Sequence, residues 1–254
     1  SFLSDVPSGP SIFVAQEFLD AFPVHQFAYT TSGWREKMVD ICTDSTSPHN
    51  FRIVLAPSET PAVRVLLAEF QKESGDVEDG TDASTGAGED VIKFKSGDQL
   101  EVCPLAIGAI EDVSRRIAMH GGAALFVDYG EDYPSGDTLR GFRKHELVDA
   151  MSEPGRVDVT CDVDFGTLRR RALRMGAGVA PLASQGEFLM RMGLMPRLEM
   201  LIENDNTTEE QAQALVDAAK MLISDEGMGS KFKVMALHHP KVKPEGFPEE
   251  VQAK

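Results

Sequence analysis

Glu17 and Asp20 are the residues of this sequence best placed to do chemistry. They follow the apolar run Ile12, Phe13, Val14, Ala15 and precede Pro23, so a short strand delivers two carboxylates into a loop. Open α/β sheets take their ligands just past the carboxyl ends of strands. Phe18, Leu19 and Phe22 flank the acids with large apolar groups that would strip water from them. Two partly desolvated carboxylates call for a cationic partner, and a guanidinium or ammonium group supplies one. The same acids also suit a plainer role, in the first turn of a short helix starting near Phe18, where negative charge is favoured.

A second strand repeats the arrangement. The apolar run Ala123 to Val127 ends in Asp128 and Tyr129, which would form another wall of a pocket. His25 and His145 each lie in a loop after one of these strand ends, and suit equally a proton relay or a hydrogen-bonding support. The segment from Glu131 to Asp164 reads as loop-rich and crowded with polar groups, among them Arg140, Arg143, Asp162 and Asp164. These four belong either to the site or to an ion-pair network that supports it. Met175-Gly-Ala-Gly178 is rejected as a dinucleotide fingerprint, because it follows a helix and lacks the third glycine. Arg169 to Arg171 reads as a solvated helix face, too short for a nucleic-acid patch.

The elements that must position these residues follow from periodicity. Ile12 to Ala15 reads as a buried strand, Phe27 to Ile41 as a hairpin turning at Ser32-Gly33, and Phe51 to Ala56 as a further strand. Thr60 and Pro61 open a helix to about Lys72 with Val63, Leu66, Leu67 and Phe70 on one face. A helix from Pro104 carries Ile107, Ile110, Val113 and Ile117 and stops at Gly121-Gly122. Helices are expected over Phe165 to Arg174, Gln185 to Leu201, and from Thr207 with Glu210 in a capping box. Strands are expected at Val179 to Ala183 and Phe232 to Leu237.

The 254 residues carry a formal net charge of −16. That balance argues against a nucleic-acid surface and suits a basic protein or peptide partner. Much of it sits in residues 73–90, an acidic, Gly- and Ser-rich stretch that reads as a disordered loop. No stretch approaches the roughly 20 apolar residues that span a bilayer, and no targeting peptide is visible. Cys42, Cys103 and Cys161 are odd in number and widely spaced, which suits a reducing compartment and argues against a zinc site. His238 and His239 lack a carboxylate at metal-ligand spacing, and His120 sits where a helix C-terminus favours a cation.

Six blocks, EFLDAFPVHQF (17–27), GWRE (33–36), GGAALFVDYG (121–130), GDTLRGFRKHELVD (136–149), DVTCDVDF (158–165) and QGEFL (185–189), closely resemble the MidA-like family. The resemblance implies an α/β class I methyltransferase fold with a Rossmann-like sheet that uses S-adenosylmethionine. It also implies symmetric dimethylation of a protein arginine on a core subunit of respiratory complex I, in the mitochondrial matrix, by a protein that acts in assembly of that complex. In the family's order, the glycine-rich cofactor turn and the ribose-binding acid precede the first block. The sequence is therefore expected to be the carboxyl-terminal portion of a longer protein, lacking its first strands. The strand at Ile12 would be left with an unpaired edge and apolar surface, and the chain alone would bind the cofactor weakly or not at all.

On this basis residues 1–26 end the Rossmann-like half, 27–103 form an inserted α+β lobe, 104–240 complete the methyltransferase domain and 241–254 form a tail. The expected catalytic residues are Glu17, Asp20 and His25. Asp128, Tyr129, Arg140, His145 and Asp164 are expected at the substrate, and Ala15 and Gln16 at the cofactor. No metal is expected. The partners are a protein substrate and a possible second copy of the chain. The competing reading is a non-catalytic assembly or interaction protein, or a fragment unable to bind cofactor.

Overall fold

The computed structural model describes residues 2–44, 50–74 and 94–248. The chain divides into two compact units: Ser1–Phe22 with Pro104–Pro134 and Cys161–Lys254, and Pro23–Cys103 with Ser135–Thr160. Residues 135–160 thus group with the lobe, whereas the sequence places them with the main domain.

The first unit is built on a six-stranded sheet. β1 (Ser11–Gln16) pairs in parallel with β6 (Gly122–Glu131), from Ser11 opposite Gly122 to Gln16 opposite Val127. Two glycines let other backbones close on β6. A Cβ on Gly122 would lie 2.0 Å from the Ser11 carbonyl oxygen, and one on Gly130 would lie 2.0 Å from that of Val163. The latter contact admits β10 (Val163–Asp164), which pairs in parallel with the end of β6. On the other side of β6 runs antiparallel β13 (Phe232–His238), paired in turn with β11 (Gly178–Val179) and β12 (Ala183–Ser184). The single strand expected at Val179 to Ala183 is split because Pro181 has no N–H to give the ladder.

β1 is an outer strand of this sheet. Its side chains alternate in exposure, with Ile12 83% and Val14 74% exposed. The buried strand expected here is corrected by this finding: one face of β1 has nothing packed on it among the described residues.

Helix α2 (Pro104–His120) and helix α3 (Phe165–Arg174) belong to the same unit, and Ile110, Ile117, Phe165, Phe232, Val234 and Leu237 are buried in it. The expected apolar stripe of α2 contributes Ile110, Val113 and Ile117, while Ile107 is half-buried. The long helix expected over Gln185 to Leu201 is two, α4 (Gln185–Arg191) and α5 (Leu194–Ile202), separated where Gly193 takes φ of 84°. α6 (Glu209–Ile223) has its capping box one residue later than expected, formed by Thr208 and Gln211. Arg169, Arg170 and Arg171 are half-buried and engaged, not solvated. Arg169 Nε lies 3.3 Å from Asp132, Arg170 donates to Thr167 Oγ1 and Arg171 to Glu111.

In the second unit, β2 (His25–Thr30), β3 (Gly33–Ile41), β4 (Phe51–Leu55) and β5 (Gln99–Val102) form an antiparallel sheet in the order β4-β3-β2-β5. Helix α1 (Pro61–Ser74) lays Val63 and Leu67 on a core of Phe27, Trp34 and Leu100. The Thr60 hydroxyl accepts from Val63 N at 3.3 Å and caps the helix. The Phe70 side chain and, from residue 75 onward, the acidic stretch lie outside the described residues, as do the last six residues of the tail. The loop-rich reading of Glu131 to Asp164 is corrected by a three-stranded sheet, β8-β7-β9, of β7 (Arg140–Arg143), β8 (Glu146–Val148) and β9 (Asp158–Thr160). Strands of three or four residues are too short to display alternation.

Candidate functional site

Because β1 and β6 run in parallel and in step, both release their chains at the same end of the sheet. The loop leaving β1 carries Glu17 and Asp20. Glu17 N donates to the Val127 carbonyl at 3.0 Å, and Glu17 then turns into the left-handed region with φ of 47°. That turn aims three successive amides at one acceptor. Phe18 N, Leu19 N and Asp20 N donate to Asp128 Oδ2 at 3.1, 2.9 and 3.3 Å. Asp128 Oδ1 takes the Tyr129 amide at 3.0 Å. The loop is closed by Phe22 N on the Leu19 carbonyl and by Cys161 N on the Asp20 carbonyl. Phe18 and Phe22 meet edge to face, with ring centroids 4.9 Å apart.

The two loop acids differ in environment. Asp20 is 9% exposed, whereas Glu17 is exposed, so the desolvation expected of both holds for Asp20 alone. The helix that they were also suited to cap does not form; residues 17–24 contain a single turn and no helix. Asp128 is 1% exposed. Burial, and then the charge of Asp20, push its carboxyl up to about 6 against the opposing pull of the amides. Its carboxylate is therefore spent on the loop and forms no open pocket wall. Tyr129 packs its half-buried ring on Phe232, with centroids 3.9 Å apart.

Asp164 caps α3: its carboxylate accepts from Thr167 N at 2.9 Å and from the Thr167 hydroxyl at 2.6 Å. Burial raises its pKa, opposed by those bonds. The structure gives this carboxylate a helix-capping role. Ala15 and Gln16 end β1 beside its open edge, Ala15 half-buried and Gln16 exposed.

Three of the expected site residues belong to the second unit. His25 Nδ1 lies 2.8 Å from Glu36 Oε1, and Thr60 Oγ1 donates to Glu36 Oε2 at 2.6 Å, so a fixed carboxylate orients the ring. Arg140 is half-buried on β7. Arg143, grouped with it in the sequence, pairs instead with Glu153. His145 is exposed at the tip of the β7–β8 hairpin, where it and Lys144 take φ of 67° and 51°. Such a tip is turn chemistry.

Two acids of the second unit, buried Glu101 and half-buried Glu36, are not evident from the sequence. Glu101 accepts from Gln26 Nε2 at 2.6 Å and from Thr138 N at 3.0 Å, and also takes the Thr138 hydroxyl. Its only signal was an acid at an inward position of a short strand. Glu36 lay within the GWRE block but was not singled out.

Three structural facts, two parallel strands running toward the same end of the sheet, an acid-bearing loop, and an open sheet edge beside it, fit a cofactor-dependent α/β enzyme. Residues 1–182 match a family described as "Putative S-adenosyl-L-methionine-dependent methyltransferase". The chain belongs to this methyltransferase family. Its relatives include the protein arginine methyltransferase NDUFAF7, mitochondrial, of Rattus norvegicus, 40% identical over 92% of this chain and 47% of that protein. The Homo sapiens protein of the same name is also 40% identical, with the same coverage. The chain spans about half the length of the curated relatives it matches. A crystal structure of a COG1565 superfamily protein from Burkholderia thailandensis matches with a TM-score of 0.73 at 26% identity, over 96% of this chain and 59% of that one. A second, of a likely methyl transferase from the same organism bound to S-adenosyl-homocysteine, matches in fold with a TM-score of 0.72 at 24% identity, over 96% and 57%. The fold is that of the S-adenosylmethionine-dependent methyltransferases.

Proposed function

We propose that this chain forms the substrate-side portion of a protein arginine N-methyltransferase, with Glu17 and Asp20 as the carboxylates that receive the guanidinium. The reading is supported most by one observation, the loop that carries both acids at the shared carboxyl end of β1 and β6. The names of the mitochondrial relatives support arginine as the acceptor and the mitochondrion as the location.

The chemistry explains why acids are needed. When bound, S-adenosylmethionine supplies a methyl group on a cationic sulfonium, and arginine remains protonated in proteins. Two unit charges about 4 Å apart at an effective dielectric of 20 repel by about 4 kcal/mol. A carboxylate within hydrogen-bonding distance of the guanidinium offsets a repulsion of that size, and bidentate bonding fixes which nitrogen faces the methyl group. Exposed Glu17 is the first to meet an incoming guanidinium, and buried Asp20 holds its charge in a drier place. His25 Nδ1 is held by Glu36 Oε1 at 2.8 Å, which suits its ring to proton transfer.

For the cofactor, Ala15 and Gln16 lie at the end of β1 beside its open edge. The finer assignments rest on the family resemblance: symmetric dimethylation, a complex I core subunit as substrate, the matrix, a role in assembly and a homodimer.

The test is methylation of arginine substrates by the full-length protein carrying Glu17→Gln. Turnover is expected to fall about 100-fold, the scale of losing one charge-stabilising group, with cofactor affinity nearly unchanged. Unaltered turnover removes Glu17 from the catalytic role.

A further inference from the structure

The Asp128 carboxylate is an anion that the fold itself places in a nest of amides. Three consecutive N–H groups, of Phe18, Leu19 and Asp20, converge on one of its oxygens, and the Tyr129 amide takes the other. Successive amides pointing to one centre normally receive a ligand anion. Here the position is filled by a side chain from the neighbouring strand, so the shape of the loop is dictated by β6. Lys233 stands opposite Asp128 across the β6–β13 ladder, but its ammonium goes to Glu131 at 3.1 Å and to the Ser230 carbonyl at 2.6 Å.

We propose that Asp128 is the positioning residue of the methyl-transfer site: by binding the amides of Phe18, Leu19 and Asp20 it holds Glu17 in its left-handed turn and fixes the directions of the Glu17 and Asp20 carboxylates. This rests on the arginine methyl-transfer reading, which it deepens. Asp128 touches no substrate, since it is buried beneath the loop. It acts through the backbone of the segment whose side chains do.

Two features separate this role from ordinary structural support. The segment tied down consists of the residues that bear the acids, and the tie runs from a strand to a loop and not within either. In addition, the ionised carboxylate is disfavoured by burial and by Asp20, so it is maintained at the expense of stability. Both oxygens accept from N–H donors, a pattern that a side-chain amide, with one acceptor oxygen and an NH2 group, does not reproduce.

The experiment compares wild type, Asp128→Asn and Asp128→Ala in the full-length protein. It reads amide hydrogen exchange over residues 17–20, kcat and KM for an arginine-containing protein substrate, cofactor affinity and the thermal midpoint at neutral pH. In Asp128→Asn, exchange is expected to accelerate and kcat to fall, each about tenfold or more, while cofactor affinity stays within about twofold and the thermal midpoint is unchanged or higher. Asp128→Asn keeps the side chain's volume, so the test stands even where Asp128→Ala fails to fold. Unchanged exchange overturns the proposal, as does accelerated exchange with unaltered kcat, or a fall in kcat that only tracks a lost thermal midpoint. Accelerated exchange in a protein whose wild type methylates no arginine supports the anchor and sinks the arginine reading.

Discussion

At the scale of single residues, the site region shows acids held where folding alone would not hold them. The folded chain binds the Asp128 proton more tightly than the unfolded chain, with a pKa of about 6 against 3.8. Its ionisation therefore removes stability as pH rises through that window, by about 3 kcal/mol at neutral pH. Asp164, also raised by burial, acts in the same direction. The expected outcome is a thermal midpoint that rises as pH falls from 7 toward 5, a slope that Asp128→Asn flattens; differential scanning fluorimetry across that range reads both. Glu17 presents the same trade in backbone form. A non-glycine residue at φ of 47° is strained, at a cost of about 1 kcal/mol. Glu17→Gly should therefore be neutral or stabilising by up to about 1 kcal/mol in urea unfolding, while methylation is lost. These acids were legible in the sequence because apolar residues crowd them. Their difference in burial was not, since it depends on the loop's turn and on a carboxylate more than a hundred positions away.

At the scale of elements, what the sequence showed depended on length. α2 carries its apolar residues over enough positions to declare a period, and α3 and β13 also fall where expected. The strands of the β8-β7-β9 sheet are three or four residues long and owe their form to pairing with one another, which no local pattern records. The α6 cap slipped by one residue because Thr207 and Thr208 both precede acceptable partners, and geometry alone selects Thr208 with Gln211. β6 is the element on which the site most depends, since it pairs with β1 and β10 and carries Asp128. Gly122→Ala would drive a methyl group into the Ser11 carbonyl at a backbone angle of 107°. We expect a loss of about 2–4 kcal/mol in chemical denaturation, with the Glu17 loop displaced along with β1. At α3, Asp164→Ala should cost about 1 kcal/mol, the usual worth of an N-cap.

For the whole molecule, the relevant number is the share of its relatives that the chain covers, about half. The six blocks made the family legible across nearly all of the sequence, yet an open sheet edge is visible only once strands are paired. If residues beyond these 254 complete the cofactor site, calorimetric titration with S-adenosylmethionine should show binding to the full-length protein and little or none to this chain. Tight binding to the short chain would mean that its own residues form the site, and binding to neither would favour a non-catalytic interaction protein. The outer edge of β1, with Ile12 and Val14 uncovered beside it, also bears on how these 254 residues behave in isolation. An unpaired strand with apolar side chains is a template for its own kind. Mutual repulsion from a net charge of −16 opposes such pairing in dilute buffer. Added salt screens that repulsion, so solutions of the isolated chain should turn cloudy as ionic strength rises, and a lysine in place of Ile12 should keep them clear.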